Sequence, residues 1–257
     1  MKIALIGYGK MGREVEQVAL SKGHSIVARC DPALVQNTST AVGSNLEAAD
    51  VCIEFTTPSA VLENIRTIAR AKKPLVVGTT GWYEHLAEAE ALVANNGTGL
   101  VYAPNFSLGV NLFYRLVDSA AELFNHFEDY DVFGSEIHHR QKVDSPSGTA
   151  KKLGEIVLKR FKRKKKVISD PLNRAIRPEE FHLVSARAGH FPGVHSLTFD
   201  SAADTVELIH TVRSRSGFAL GALLAAQWVM SRRGFYSFEQ VLKDMLSSED
   251  NASEVQS

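Results

Sequence analysis

Short apolar, β-branched runs alternate with stretches of helical spacing over the first hundred residues. "KIALIG" (2–7), "SIVARCD" (25–31), "VCIEF" (51–55), "PLVVGTT" (74–80) and "GLVYAP" (99–104) predict strands. Between them, "KMGREVEQVALSKG", "SAVLENIRTIARAKK" (59–73) and "EHLAEAEALVANN" (84–96) repeat apolar positions at helical intervals. Such alternation predicts an α/β domain, a doubly wound parallel sheet with helices on both faces.

The pattern changes after about residue 107. "SLGVNLFYRLVDSAAELFNHF" predicts a long helix and "DYDVFGSEIHH" (129–139) a strand. A helix is expected after Pro146, running into "KRFKRKKK", with "KRKKK" (162–166) as its solvated end. Strands follow at 181–189, 194–201 and 205–214, so this part reads as an α+β domain on a mixed or antiparallel sheet. "FALGALLAAQWVMSRRG" (218–234) is apolar on more than one face and predicts a buried helix. "SFEQVLKDML" begins with Ser237 and Gln240 in capping-box spacing. These last helices are expected to pack on the first domain, giving one domain from 1–106 plus 216–257 and an inserted one from 107–215. The last ten residues read as disordered.

At 257 residues the chain suits one large domain or two modest ones. Formal net charge is zero, so no global field recruits nucleic acid or an anionic membrane. No apolar run approaches the length of a membrane span, and the N-terminus lacks the core of a signal peptide. Cys30 and Cys52 lie in predicted buried strands without metal spacing, the usage of a cytosolic protein with reduced thiols.

"GYGKMG" sets Gly7, Gly9 and Gly12 in G-x-G-x-x-G spacing, after a strand and at a helix start. In that context the first glycine permits the turn. The second lets backbone approach a pyrophosphate, and the third lets helix and strand pack. The turn of Gly7, Tyr8, Gly9, Lys10, Met11 and Gly12 is thus a candidate dinucleotide site. Asp31, closing the second strand, can accept hydrogen bonds from a ribose. The bland alternative is a plain strand–turn–helix connection. "VVGTTGW" (76–82) and "YAPNFS" (102–107) end two further strands, where ligands bind in parallel sheets, although ordinary turn chemistry would look the same.

"SEIHHRQKVDSPSGTAKKLGE" (135–155) gathers His138, His139, Arg140 and Lys142 before a helix start. Beside a nicotinamide cofactor, a histidine suits proton delivery and Lys142 adds positive charge and a second donor. Ser145 is expected to cap the helix with Pro146 at its first position. Gly148 and Thr149 then offer first-turn N–H groups to a carboxylate. The alternative is a strand end with solvated basic residues and a capped helix. A metal is not expected. Adjacent His138 and His139 point to opposite faces, and His190 and His195 lack a Cys or carboxylate in ligand spacing.

"EIHHRQKVDSPSGTA", with "GTTG" (78–81), "APNFS" (103–107), "RAG" (187–189) and "SRSGFALGA" (214–222), resembles the 4-hydroxy-tetrahydrodipicolinate (dihydrodipicolinate) reductase family over nearly the whole chain. The resemblance implies a Rossmann-type domain with an inserted substrate and oligomerisation domain on a mixed sheet, and a cytoplasmic homotetramer formed through those sheets. It implies NADH or NADPH as cofactor and a small cyclic imine dicarboxylate as substrate. It also implies His138 as the catalytic acid–base residue, Lys142 as the second proton donor, and His139, Gly148, Thr149 and Arg215 as substrate ligands. Gly78, Thr79 and Thr80, with Ala103, Pro104, Asn105 and Phe106, resemble loops at the nicotinamide end. The segment after Asp31 is shorter than in longer members. Pro32 stands where some carry an arginine suited to a 2′-phosphate, so the choice between NADH and NADPH stays open. Two rivals remain. One is another two-domain nicotinamide enzyme, such as a semialdehyde dehydrogenase, which needs a substrate-facing cysteine. The other is a non-catalytic dinucleotide sensor, which has no need of the histidine–lysine segment.

Overall fold

The computed structural model describes residues 1–31 and 46–253, and side chains through 247. The expectation about Pro32 lies outside the described residues, as does that of disorder for 254–257; residues 248–253, expected to be disordered, instead continue the last helix. The chain divides into two compact units, Met1–Leu108 with Arg215–Ser257, and Gly109–Ser214.

The first unit is built from β1 (Lys2–Ile6), α1 (Lys10–Ser21), β2 (Ser25–Cys30), β3 (Val51–Glu54), α2 (Pro58–Arg70), β4 (Leu75–Val77), α3 (Leu86–Asn96) and β5 (Gly99–Tyr102). In the second unit come α4 (Leu108–Phe124), β6 (Asp131–His138), α5 (Gly148–Arg160), β7 (Lys166–Ile168), β8 (Glu180–Arg187), β9 (Val194–Asp200) and β10 (Thr205–Thr211). The chain then returns to the first unit with α6 (Ser216–Val229), β11 (Gly234–Ser237) and α7 (Phe238–Ser253).

The first sheet is wholly parallel, in the order β11-β5-β4-β3-β1-β2. Its strands read as continuous apolar runs because both faces are covered. Ile3, Leu5 and Val101 pack against Val15, Ala222, Val229 and Val241 on one face. Ala4, Ile6 and Val77 pack against Ile65, Ile68 and Val93 on the other. The order reverses between β2-β1 and β1-β3, and a ligand crevice forms at such a switch, outside the carboxyl ends of the strands.

The second sheet is mixed, β10-β9-β6-β8-β7, with β9 antiparallel to β6 and β10, and β8 parallel to β6 and β7. One face carries Val132, Leu183, Leu197 and Phe199 against Phe113 and Val117 of α4 and Leu153 and Val157 of α5. The opposite face shows Ile209, Ser196, Ser135 and Val184 in one row across four strands.

Two features depart from the sequence reading. The basic run 162–166 is no solvated helix end. Lys164 is buried, its Nζ 2.5 Å from Asp131 Oδ1 and donating to the Pro178 carbonyl at 3.0 Å. Arg163 ties down the carbonyls of Asn125, Phe127 and Tyr130, and the run leads into β7. Charge composition hides this because long cationic stems bury well when their heads find oxygen acceptors. The second departure is β11. The helix over 218–234 ends at Val229, and "GFYS" pairs in parallel with β5. The Ser237–Gln240 capping box forms next, each side chain accepting from the other's N–H at 2.7 and 3.3 Å.

Candidate active site

In the first unit the glycine turn follows β1. Gly7 has φ +88°, and a Cβ there would lie 2.1 Å from the Phe55 carbonyl oxygen. A Cβ on Gly12 would lie 2.3 Å from the Gly7 oxygen, so α1 packs directly on the turn. At Gly9 the space is open, with nothing within 4 Å of such a Cβ. Gly9 is the N-cap of α1, which has no side-chain cap and no acid in its first turn. Those N–H groups and the helix dipole suit phosphate, so this turn fits a dinucleotide. Exposed Lys10 and half-buried Met11 open the helix. Asp31 Oδ2 accepts the Tyr8 N–H at 2.6 Å, bracing the turn. The Arg13 and Arg29 guanidiniums lie 5.4 and 5.7 Å from the centre of the Tyr8 ring, and the Tyr8 hydroxyl donates to Glu16, which also pairs with Arg29.

Loops after β4 and β5 complete this edge. Gly78 sits against the Phe55 ring, and Thr79 Oγ1 accepts the Thr56 N–H at 2.7 Å while its carbonyl accepts from Trp82 at 2.8 Å. Thr80 and Pro104 are exposed and Ala103 is buried. Asn105 Oδ1 accepts the Ser107 N–H at 2.8 Å. The Phe106 ring is buried against Phe238 at 5.0 Å, so only its backbone remains for a ligand.

In the second unit the period-2 alternation of β6 puts Glu136 and His138 on one face. Pairing sets His195 of β9 opposite Glu136, and places Ser185 and Arg187 of β8 alongside. Glu136 Oε1 accepts from the Ser147 N–H at 2.9 Å, from Ser185 Oγ at 2.8 Å and from Arg187 Nη2 at 2.8 Å. Glu136 Oε2 faces His138 Nδ1 at 3.2 Å and His195 Nε2 at 3.5 Å. Burial pushes this carboxyl's pKa up, but the nearby His195 imidazole and hydrogen bonds from Ser147 and Arg187 outweigh it and hold it well below the carboxylate range. Burial pushes His138 down to about 4 against the opposing pull of Glu136, with His195, Lys142 and Arg187 adding to the fall. His138 is therefore neutral at pH 7 while nothing anionic is bound.

Beyond β6 the chain turns back, the Lys142 N–H donating to the His139 carbonyl at 3.0 Å. His139 is half-buried, outside the Glu136 cluster, and its Nδ1 is buried without a hydrogen-bond partner among the described residues. Lys142 Nζ is 2.7 Å from Asp144 Oδ1, and Arg187 also donates to the Asp144 carbonyl at 2.6 Å.

The helix start differs from the expected one. Ser147, not Ser145, is the N-cap, its Oγ accepting the Ala150 N–H at 3.2 Å. Ser145–Pro146 is a cis peptide ahead of the helix. The reason is that Glu136 takes the Ser147 N–H and seats this residue at the cap. Gly148 and Thr149 become the first two helical positions, and among the described residues nothing accepts their N–H groups. A Cβ at Gly148 would meet nothing within 4 Å. Burial pushes the Tyr114 hydroxyl's pKa up, with nearby Thr149 pulling the other way.

The structure thus brings His138, Lys142, Gly148 and Thr149 together on one strand–loop–helix segment. Arg215 is exposed and belongs to the first unit as N-cap of α6. Glu136 and His195 were missed, and Arg187 entered only through "RAG". His195 does have a carboxylate neighbour: ligand-type atoms of Glu136, His138 and His195 lie within 4.8 Å of one another. Spacing along the chain could not show this, because the neighbour comes from strand register. Arg187 balances the carboxylate's charge and, with the Ser185 hydroxyl and the Ser147 N–H, saturates Oε1. The alternation E-x-H on β6 was the available signal for Glu136.

The family models for dihydrodipicolinate reductase match residues 1–106 with its N-terminus and 109–242 with its C-terminus. A 4-hydroxy-tetrahydrodipicolinate reductase of Christiangramia forsetii is 37% identical over 248 residues, covering 96% of this chain and all of that protein. One of Chromobacterium violaceum is 33% identical, covering 93% of this chain and 97% of its own. A dipicolinate-bound dihydrodipicolinate reductase from Paenisporosarcina sp. TG-14 superposes with a TM-score of 0.74 at 25% identity, covering 93% of this chain and 98% of that one. An amine dehydrogenase from Mycobacterium smegmatis shares the fold alone, with a TM-score of 0.61 at 15% identity over 93% of this chain and 95% of its own. Both units, their order and nearly the full length therefore agree, and the chain belongs to the dihydrodipicolinate reductase family.

Proposed function

We propose that the β6–α5 segment carries out the family reaction on a small dicarboxylate. The enzyme is an NAD(P)H-dependent reductase of 4-hydroxy-tetrahydrodipicolinate in diaminopimelate and lysine biosynthesis. The reaction takes up one hydride and one proton and releases water, leaving tetrahydrodipicolinate. The observation that carries the site is the pair of unpartnered N–H groups at Gly148 and Thr149, on the same segment as Lys142 and His138.

Each group has a task. The Gly148 and Thr149 N–H groups, at the positive end of α5, hold one substrate carboxylate. Lys142 stabilises the charge that develops on the ring and donates a proton. An anionic substrate beside His138 raises its proton affinity from the depressed value, so the imidazole gains its proton once substrate is bound. His139 and Arg215 are the further substrate ligands in this reading. When bound at the glycine turn, the dihydronicotinamide supplies the hydride. The loops at 78–80 and 103–106 orient that ring, and Asp31 meets the adenosine ribose.

The uncovered face of the second sheet supports a homotetramer. Phe133, Val184 and Ile209 are 45%, 43% and 57% exposed there, in a sheet whose other face is fully packed. Two buried, unpaired cysteines fit a reducing cytoplasm. No helix of the described residues is long and apolar enough to cross a membrane. The direct test is substrate-dependent loss of dihydronicotinamide absorbance. A dinucleotide sensor would bind the cofactor and leave the absorbance unchanged.

A further inference from the structure

We propose that Glu136 is a positioning residue that fixes the His138 tautomer and ties that ring to the substrate-holding start of α5. This deepens the reading of His138 as proton carrier and of Gly148–Thr149 as carboxylate site, and rests on it.

The geometry divides the carboxylate into two working halves. Oε1 is taken by three donors, the Ser147 N–H, the Ser185 hydroxyl and the Arg187 guanidinium. Oε2 faces His138 Nδ1 at 3.2 Å and His195 Nε2 at 3.5 Å. Neither contact has hydrogen-bond geometry, but a carboxylate oxygen this close to Nδ1 favours the tautomer that carries its hydrogen there, since the other would set two lone pairs against each other. His138 is then the Nδ1–H tautomer, and Nε2 is the nitrogen that takes and returns the catalytic proton. Gly193 keeps that nitrogen accessible. A Cβ at Gly193 would lie 3.1 Å from His138 Nε2, and its φ of +146° disfavours any side chain. The same carboxylate seats Ser147 as helix cap, so the proton carrier and the first turn of α5 are held by one group. His195 closes the frame, its Nε2 3.1 Å from Ser147 Oγ and its ring edge-on to His138 at 5.1 Å.

Glu136→Gln makes the inference testable without changing volume. The amide oxygen is required by the three donors on the Oε1 side, which turns the NH₂ towards the histidines. His138 Nδ1 must then accept, and the hydrogen moves to Nε2. The measurement is ¹⁵N NMR of imidazole-labelled protein, with the His138 signals assigned through His138→Gln. Wild type is expected to show protonated Nδ1 and bare Nε2 at neutral pH, and Glu136→Gln the reverse. Turnover is expected to fall roughly 10–100-fold, part of the ~10²–10⁴-fold that a positioned acid contributes. Affinity for pyridine-2,6-dicarboxylate should stay within about threefold, since the cap bond at Ser147 survives. A wild-type Nε2–H tautomer overturns the proposal whether or not the variant folds. So does an unchanged tautomer in folded Glu136→Gln, or a switched tautomer with undiminished turnover. The tautomer is read without turnover. Undiminished turnover in His138→Gln would instead defeat the reading of His138 as proton carrier.

Discussion

At the scale of single residues, His138 and Asp31 show how surroundings set behaviour. His138 stays neutral near pH 7 because burial lowers its proton affinity, its pKa falling to about 4. If the protonated ring serves the reaction, kcat/KM, which reports the free enzyme, should decline as pH rises through that low value. The decline of kcat should come at higher pH, because bound dicarboxylate stabilises the imidazolium. Steady-state profiles of wild type and His138→Gln check this, and the variant should lose the limb in both. One shared limb position, or a profile that His138→Gln leaves unaltered, would count against the assignment. Asp31 already accepts the Tyr8 N–H through Oδ2, an atom that the shorter serine lacks. Asp31→Ser should lose the ribose contact and relieve repulsion of a 2′-phosphate, with Lys10 and Arg13 close in sequence to favour it. The ratio of kcat/KM for NADPH to that for NADH should rise. A ratio that does not rise would place the ribose contact elsewhere.

At the scale of elements, the start of α5 carries the most function per residue. Thr149→Pro removes one of its two unpartnered N–H groups. Proline in the first turn of a helix costs little stability, so the effect should fall on ligand binding. Titration with pyridine-2,6-dicarboxylate in the presence of NADH should show affinity reduced about tenfold, a loss of ~1.4 kcal/mol, within the range for a hydrogen bond to a charged group. Unaltered affinity would remove the turn from the site. This element also shows what the sequence could carry. Strands β1 to β5 and the helices that cover the first sheet were legible from period alone, as were Gly148 and Thr149 in the first turn, whereas β11 was hidden behind the apolar helix before it. The cap was misplaced by two residues, because the choice between Ser145 and Ser147 depends on Glu136, a residue distant in helix terms but adjacent across the fold. His195 was dismissed for a similar reason. Its carboxylate neighbour is 59 residues away in the chain and arrives only through the β6–β9 register. Lys164 and β7 were hidden inside a basic run whose composition mimics a solvated end.

At the scale of the whole molecule, each unit follows its own logic. The parallel sheet is buried on both faces and gathers its loops at one edge, while the mixed sheet packs helices on one face and leaves apolar residues on the other. That open face makes assembly a physical expectation. Ile209→Glu places an unpaired charge in the proposed contact, which a buried interface tolerates poorly. Sedimentation should find a tetramer for wild type and smaller species for the variant. An unchanged mass would put the contact on another surface. The central claim is that the β6–α5 segment performs the chemistry while the glycine turn holds the cofactor. Lys142→Ala separates these roles most directly, because Lys142 lies outside the cofactor turn and its partner Asp144 is exposed. The measurement is turnover with fresh substrate alongside equilibrium binding of NADH. The expected result is turnover reduced by about 10²–10³-fold with NADH affinity unchanged. Near-normal turnover, or a matching loss of NADH affinity, would contradict the account.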